Sequence, residues 1–179
     1  MRLTKFSDYA IRVLLYAASR PGTLVTIEET ADVFGISRAH LKKVVLLLSN
    51  NGYLRAVRGR RGGFTLGRAP DEINLGALLR LTEPDFAMVE CFQTGNRCPI
   101  TRVCRLPEVV NEALGAYLAA FDRRSLADIL LQAPDFIANG PTEPALRGPR
   151  LPPVGAAMPE PVPDAAVSDP IRMRATSYG

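Results

Sequence analysis

The feature that most constrains the fold is a pair of short helical patterns joined by one glycine and followed at once by a basic, glycine-rich hairpin. Thr26 and Glu29 have the spacing of a capping box, which predicts the start of the earlier helix, and Gly35 ends it. Ser37 is a good N-cap for the later helix, which extends to about Asn50. Two helices joined this tightly predict a helix-turn-helix unit.

The hairpin that follows predicts a wing. Two candidate strands, 53–57 and 63–66, flank the turn RGRRG, whose glycines permit conformations closed to other residues. An amphipathic helix over 3–19 precedes the unit, and a fourth helix fits 74–82. We therefore predict a mainly α fold, a winged helix-turn-helix with a small two-stranded wing and a long C-terminal helix.

That last helix is predicted over Glu108–Arg123, and Ser125 caps a short helical stretch after it. The apolar residues of the long helix are Val109, Val110, Ala113, Leu114, Tyr117, Leu118 and Phe121. This face is wider than one small domain needs, so we interpret it as a dimerisation surface.

Charge and proline divide the chain into three parts. Residues 1–70 hold 12 Lys+Arg against 4 Asp+Glu, whereas residues 71–179 hold 10 against 14. A basic segment of this kind is typical of a nucleic-acid-binding region, because Lys and Arg neutralise phosphates. Residues 139–179 contain nine of the 15 prolines without an apolar period, which predicts a disordered tail. The expected organisation is a DNA-binding domain over 1–70, a sensing and dimerising part over 71–138, and the tail over 139–179.

The residues expected to contact DNA lie at the start of the second helix of the unit and at the tip of the wing. They are Ser37, Arg38, His40, Lys42 and Lys43 on the helix, and Arg58, Arg60 and Arg61 on the wing. A recognition helix presents its N-terminal side chains to base edges, and an arginine on a glycine turn can reach a narrow minor groove. The competing interpretations are a solvated His40, lysines that contact only phosphate, and arginines that keep an edge hairpin soluble.

Three cysteines are confined to one irregular segment, at positions 91, 98 and 104. An odd number excludes a complete internal disulfide framework, and the spacing lacks the C-x-x-C pairs of a zinc knuckle. Wider spacing suits an iron–sulfur cluster, which thiolates hold, and three of them leave one position for another ligand. The competing interpretation is three unrelated thiols.

Other classes are disfavoured. No nucleophile has a plausible partner base, and the single histidine, His40, lies on the predicted recognition helix, so no enzyme is predicted. No apolar run reaches about 18 residues, so no membrane span is expected and the predicted location is the cytoplasm.

These motifs together resemble one family. The start MRLTKFSDYAIRVLLYAA, the stretch ISRAHLKKVV, the wing VRGRRGGFTL and the run VECF…CPI…C are similar to the Rrf2 family of winged-helix repressors, and to its nitric-oxide-sensing iron–sulfur members above all. The resemblance covers about residues 1–132 and excludes the tail.

The resemblance implies a homodimer that binds a palindromic promoter site. Each subunit would hold one cluster through Cys91, Cys98 and Cys104, and Asp8 stands where some members supply the fourth ligand from the other subunit. Three thiolates and a carboxylate favour [4Fe-4S] over [2Fe-2S]. The competing role for Asp8 is an ion pair with Arg12 at i, i+4 spacing.

The implied function is repression that nitric oxide relieves. Reaction of the cluster with nitric oxide would release the DNA and derepress genes for nitric oxide detoxification. Two alternatives stay open at this point: an iron- or redox-responsive repressor of the same family, and a cluster-free thiol redox switch.

Overall fold

A computed structural model of the chain describes residues 2–138. The predicted proline-rich tail, 139–179, lies outside the described residues. The helices and strands, in chain order, are α1 (Lys5–Ala18), α2 (Ile27–Phe34), α3 (Arg38–Asn50), β1 (Leu54–Val57), β2 (Gly63–Leu66), α4 (Leu75–Thr82), α5 (Leu106–Asp122) and α6 (Asp135–Ala138). Short 3-10 turns lie at Pro70–Glu72, Glu90–Phe92 and Leu126–Ile129. The mainly α prediction is confirmed.

The predicted caps of the helix-turn-helix unit are present. Thr26 accepts a hydrogen bond from the Glu29 N–H, and the Glu29 side chain accepts one from the Thr26 N–H, which completes the capping box. Gly35 ends α2 with φ at 63°, a left-handed conformation that glycine adopts without steric cost. Ser37 caps α3 by accepting from the His40 N–H at 3.3 Å. The turn between the two helices is therefore fixed by local chemistry.

The core forms where α1 packs on α3 and α4. Leu41 and Val44 of α3 are completely buried, as predicted, and so are Val13 and Leu14 of α1. Full burial of a side chain of this kind contributes about 1.5–3 kcal/mol. This packing fixes the orientation of α3 and determines which of its faces remains in solvent.

The wing is a two-stranded antiparallel sheet. Leu54 pairs with Leu66, and Val57 pairs with Gly63. A further bridge, which the sequence did not predict, joins Val25 to Phe64 through N–H···O bonds of 2.9 and 2.8 Å. The wing is thus attached to the segment that leads into α2.

The long helix α5 begins two residues earlier than predicted, at Leu106, and ends at Asp122. Pro107 fits inside its first turn, where a missing N–H leaves no hydrogen bond unmade, so the proline does not delay the helix. Ser125 lies at the predicted N-cap position, where its hydroxyl donates to Asp128 Oδ2 at 3.2 Å. The short helical stretch after it is a 3-10 helix, Leu126–Ile129. None of the helices within residues 2–138 combines the length and apolarity that a membrane span needs.

Two contacts hold the later elements in place. Arg80 of α4 and Asp122 of α5 form a two-pronged ion pair, whose second bond, Nη2 to Oδ2, is 2.8 Å long. Phe136 of α6 packs edge-on against Tyr16 and Phe34, with ring centroids 5.3 and 5.9 Å away. The chain therefore returns to the helix-turn-helix unit before the described residues end.

Candidate DNA-binding surface and cysteine loop

Helix α3 separates its core face from its solvent face. Arg38, His40, Lys42 and Lys43 are all exposed, and Ser37 is exposed at the N-cap. Because Leu41 and Val44 anchor the opposite face, these polar side chains project outwards together from the first turns of the helix. The arrangement is that of a recognition helix that can enter a major groove.

His40 has a neighbour from α1. Its ring lies 6.3 Å from the ring of Tyr9, centroid to centroid, at a tilt of 39°. The imidazole is thus neither buried nor free on all sides, because the Tyr9 ring flanks it. Helix α1 therefore contacts the recognition helix at a side chain predicted to meet DNA.

The wing turn requires glycine for reasons of space. A Cβ at Gly62 would lie 2.3 Å from the Val57 carbonyl oxygen, and one at Gly63 would lie 2.5 Å from the Val25 carbonyl oxygen. The three wing-tip arginines, Arg58, Arg60 and Arg61, are exposed, and within residues 2–138 none of them is in an ion pair. Their charge is therefore available to an external anion.

Arg68, by contrast, has a structural role. Its guanidinium carbon lies 4.7 Å from the centre of the Tyr53 ring, and its Nη2 donates to the Asn51 carbonyl at 2.7 Å. The basic stretch is therefore divided between wing-tip arginines that face solvent and one arginine that braces the base of the wing.

The cysteine loop, residues 83–105, connects α4 to α5. Cys91, Cys98 and Cys104 are free thiols, and each is partly buried. Asn96 organises the loop around Cys98: its Oδ1 accepts from the Cys98 N–H at 2.8 Å, and its Nδ2 donates to the Thr101 hydroxyl. Thr101 in turn donates to the Cys98 carbonyl at 2.8 Å. One loop thus presents all three thiols.

The predicted ligands are not gathered into one group within the subunit. Among residues 2–138, no three Cys, His, Asp or Glu side chains are grouped so that they could hold a metal ion. Asp8, on the first turn of α1, forms an ion pair of 2.8 Å with Arg12, which was the competing interpretation. Both side chains are more than two-fifths exposed, so the pair lies at the surface.

The chemistry of the loop nevertheless fits an iron–sulfur cluster. Its thiols are partly accessible, and none of them is in a disulfide among the described residues. Thiolates are soft ligands typical of iron–sulfur centres.

A polar contact that the sequence did not predict joins the start of α1 to the end of α4. Glu83 Oε1 accepts from the Thr4 N–H at 2.9 Å and from the Thr4 hydroxyl at 3.2 Å. The Ser7 hydroxyl donates to Thr82 Oγ1 at 2.7 Å. Thr4 is recognisable in the sequence as an N-cap, but nothing in the sequence shows a partner 79 residues away.

A capped helix-turn-helix, a wing with free arginines and an exposed basic helix face define a winged-helix DNA-binding transcription regulator. The Rrf2 family, described as iron-dependent transcriptional regulators, matches residues 3–132. The chain belongs to this family. Its relatives are regulators of transcription and not enzymes, in agreement with the sequence-based prediction.

Individual relatives agree with this assignment. The HTH-type transcriptional regulator NsrR of Bacillus subtilis (strain 168) is 46% identical over 139 residues, 76% of this chain and 95% of that protein. The protein of the same name in Bacillus licheniformis is 44% identical over 133 residues, 73% of this chain and 93% of that one. The solved structure of T. potens IscR is similar in fold, with a TM-score of 0.56, 22% identity, and coverage of 72% of this chain and 85% of that one.

Proposed function

We propose that this chain is a homodimeric repressor of promoter DNA whose iron–sulfur cluster senses nitric oxide. The observation that carries the proposal is the set of three free, partly buried thiols on one loop of a winged-helix regulator. Residues 1–70 would bind DNA, and residues 71–138 would hold the cluster and the dimer contact. The proposed location of the protein is the cytoplasm.

The DNA contacts are assigned to the exposed face of α3 and to the wing. Ser37, Arg38, His40, Lys42 and Lys43 would meet a major groove, and the wing-tip arginines would meet the adjacent backbone or minor groove. Each phosphate that a Lys or Arg neutralises releases a counterion, so binding would weaken steeply with salt. Two copies of this surface in a twofold dimer would read a palindromic site.

The cluster is assigned to Cys91, Cys98 and Cys104, one cluster per subunit. The fourth ligand is Asp8 of the partner subunit, and the nuclearity is [4Fe-4S] rather than [2Fe-2S]. Asp8 suits this role because its carboxylate lies at the surface, where it can exchange its Arg12 partner for a ligand position. A bound cluster supplies iron that nitric oxide can ligate. A carboxylate is a harder donor than a thiolate, so this corner is the most easily displaced.

The dimer contact is assigned to α5. Only Leu114 and Leu118 of this helix are buried in the subunit, whereas Leu106 and Val109 are 51% and 61% exposed. An exposed apolar stripe on a long helix is typical of a protein–protein interface. Val109→Asp would therefore shift the protein towards the monomer in sedimentation. Glu112→Lys, which changes a charge on the same helix, is the control for a nonspecific effect of charge.

The deciding experiment is a titration of nitric oxide into anaerobically purified protein bound to promoter DNA. The expected result is an iron–sulfur absorption spectrum that changes with nitric oxide while DNA affinity falls in parallel. Full affinity after complete reaction of the cluster would refute the proposal. Mössbauer spectra of the same sample distinguish [4Fe-4S] from [2Fe-2S].

The role of Asp8 has its own test. Asp8→Ala is expected to change the cluster spectrum or to accelerate cluster loss. Asp32→Ala, which removes an exposed carboxylate from α2, is the matched control and should change neither. An unchanged spectrum and lifetime for Asp8→Ala would leave this residue with its Arg12 ion pair alone.

A second candidate is favoured by the family description, which names iron dependence. In that case the presence of the cluster, and not its reaction with nitric oxide, would be the signal. Removal of iron by a chelator would then release the DNA, whereas nitric oxide at the same concentration would not. Colourless anaerobic protein that binds DNA according to thiol redox state would instead indicate a cluster-free switch.

A further inference from the structure

We infer that Thr82 and Glu83 are positioning residues that transmit the state of the cysteine loop to the DNA-binding helices of the same subunit. The inference rests on the proposed function, because it concerns how loop and DNA surface are linked. It is carried by the clasp, defined here as Thr4, Ser7, Thr82 and Glu83, and by its place in the chain.

The clasp lies at the origin of the cysteine loop. Thr82 is the last residue of α4, and Glu83 is its C-cap and the first residue of the loop. On the other side, Thr4 is the N-cap of α1 and Ser7 lies in its first turn. A movement of the loop origin therefore acts directly on the start of α1.

The clasp depends on the geometry of its hydrogen bonds, because its central pair, Ser7 and Thr82, is polar and buried. Ser7 is completely buried and Thr82 is 6% exposed, so each hydroxyl depends on its partner. Thr82 Oγ1, which accepts from Ser7, donates in turn to the Leu78 carbonyl at 2.9 Å. A hydrogen bond of this length is broken when the atoms separate beyond about 3.5 Å, so a displacement of about one ångström is sufficient to open the clasp. Apolar side chains would slide over the same distance without a comparable change.

Helix α1 carries the effect onward. The next residues after Ser7 are Asp8, which is proposed to ligate the cluster of the other subunit, and Tyr9, whose ring flanks His40 on the recognition helix of its own subunit. The same helix packs on both α3 and α4. The clasp thus completes a continuous path from the loop through α1 to a predicted DNA contact within one subunit.

There is space for the clasp to move. A cavity of about 350 Å³ adjoins it, lined among others by Arg2, Asp85, Met88 and Tyr117. Tyr117 of α5 and Glu83 line the same cavity. Burial, and then the nearby Glu83 carboxylate, raises the pKa of Tyr117. The Glu83 side of the clasp is therefore held by hydrogen bonds next to open volume.

The experiment compares DNA affinity in the cluster-loaded and cluster-free forms, prepared anaerobically. Glu83→Ala removes the acceptor for Thr4, and Ser7→Ala with Thr82→Val removes both buried hydroxyls together, so neither is left unpaired. Glu83→Gln keeps an acceptor oxygen and is the conservative rescue. Asp122→Asn, which removes the charge of an ion pair between α4 and α5 and leaves the contacts of α1 unchanged, is the matched control.

Couplings between sites are commonly about 5- to 150-fold, so a loaded-to-free affinity ratio of that order is expected for the wild type. In Glu83→Ala and in the double variant, the loaded-to-free affinity ratio should fall at least about tenfold, or to near one where the wild-type ratio is itself small. The cluster spectrum should stay unchanged. Glu83→Gln and Asp122→Asn should keep the wild-type ratio. A wild-type ratio in Glu83→Ala, or an equal loss of affinity in both forms, would overturn the inference.

Amide hydrogen exchange provides a readout independent of DNA. Cluster loss should accelerate exchange in the first turn of α1 in the wild type, and Glu83→Ala should show the fast exchange in both forms. If the wild type has an affinity ratio of one, the proposed function fails. The clasp is tested separately by hydrogen exchange. If the amides of residues 5–8 exchange at the same rate in Glu83→Ala as in the wild type, the inference about the clasp is wrong.

Discussion

Gly63→Ala tests how the wing is attached to the rest of the protein. The added Cβ would lie 2.5 Å from the Val25 carbonyl oxygen, 3.2 Å from the Val25 carbonyl carbon and 3.3 Å from the Leu24 Cβ. Two of these atoms belong to backbone, so no side-chain rotation relieves the contact. The wing must move away from the Val25 segment or the substitution cannot be accommodated.

The magnitude follows from what that movement breaks. The Val25–Phe64 bridge consists of two hydrogen bonds, of 2.9 and 2.8 Å, each with a net contribution of about 0.5–1.5 kcal/mol. Phe64 is also 1% exposed, so any outward shift admits water to its ring. We expect a loss of about 2 kcal/mol in the free energy of unfolding, within the range for overpacked sites.

The assay is urea denaturation, with DNA affinity measured on the same samples. Affinity should fall because the displaced wing carries the three wing-tip arginines away from the α3 surface. Gly115→Ala makes the same chemical change within α5, where nothing lies within 4 Å of the new Cβ. Its expected effect is a gain of up to about 1 kcal/mol from helix propensity. A Gly63→Ala protein as stable as the wild type would refute the argument that the Val25 bridge holds the wing.

Three further predictions concern charge and capping. Arg80 lowers the pKa of Asp122 through its hydrogen bonds, so the ionised carboxylate stabilises the fold above about pH 3.9 and loses this effect as the pH falls through the lower folded value. Asp122→Asn should therefore lower the free energy of unfolding by at most about 1 kcal/mol at pH 7, because the ion pair is exposed. The difference in stability between variant and wild type should shrink near pH 3 in urea titrations, and a constant difference would contradict this. Thr26→Ala should cost about 1 kcal/mol because the capping box is removed, and Thr26→Ser should retain stability in the same assay. Replacing the wing-tip arginines by alanine should lower the slope of log affinity against log salt by about 0.9 for each phosphate that the wing no longer neutralises, measured by fluorescence anisotropy. Arg68→Ala should lower stability instead and leave that slope unchanged, since Arg68 stacks on Tyr53.

The sequence predicted those parts of the fold that depend on neighbouring residues. The Thr26 capping box, the Ser37 cap and the buried stripe of α3 all follow from spacings of three or four residues, and the structure contains each of them. The start of α5 was predicted two residues late, at Glu108, whereas Pro107 fits the first turn and the helix begins at Leu106. Spacings between neighbouring residues were sufficient to predict these helices, and the error at α5 concerned where the helix begins, not whether it forms.

Contacts between distant residues were not predictable in this way. The Val25–Phe64 bridge, the clasp and the ring contacts of Phe136 each join residues far apart in the chain, and no single-sequence periodicity encodes such a pairing. The cysteines were identified as a group from their spacing, but the structure does not bring them together in one subunit.

The aromatic trio of Tyr16, Phe34 and Phe136 limits how far this chain can be truncated from its C-terminal side. The match to the family ends at residue 132, before Phe136. A fragment that ends at residue 132 would keep all of α5 but would lack Phe136, whose ring packs on Tyr16 and Phe34. Tyr16, which is 1% exposed in the intact unit, would then become more exposed. The smallest piece that keeps this aromatic contact therefore includes residues that follow α5, and a tag or fusion partner belongs after Ala138.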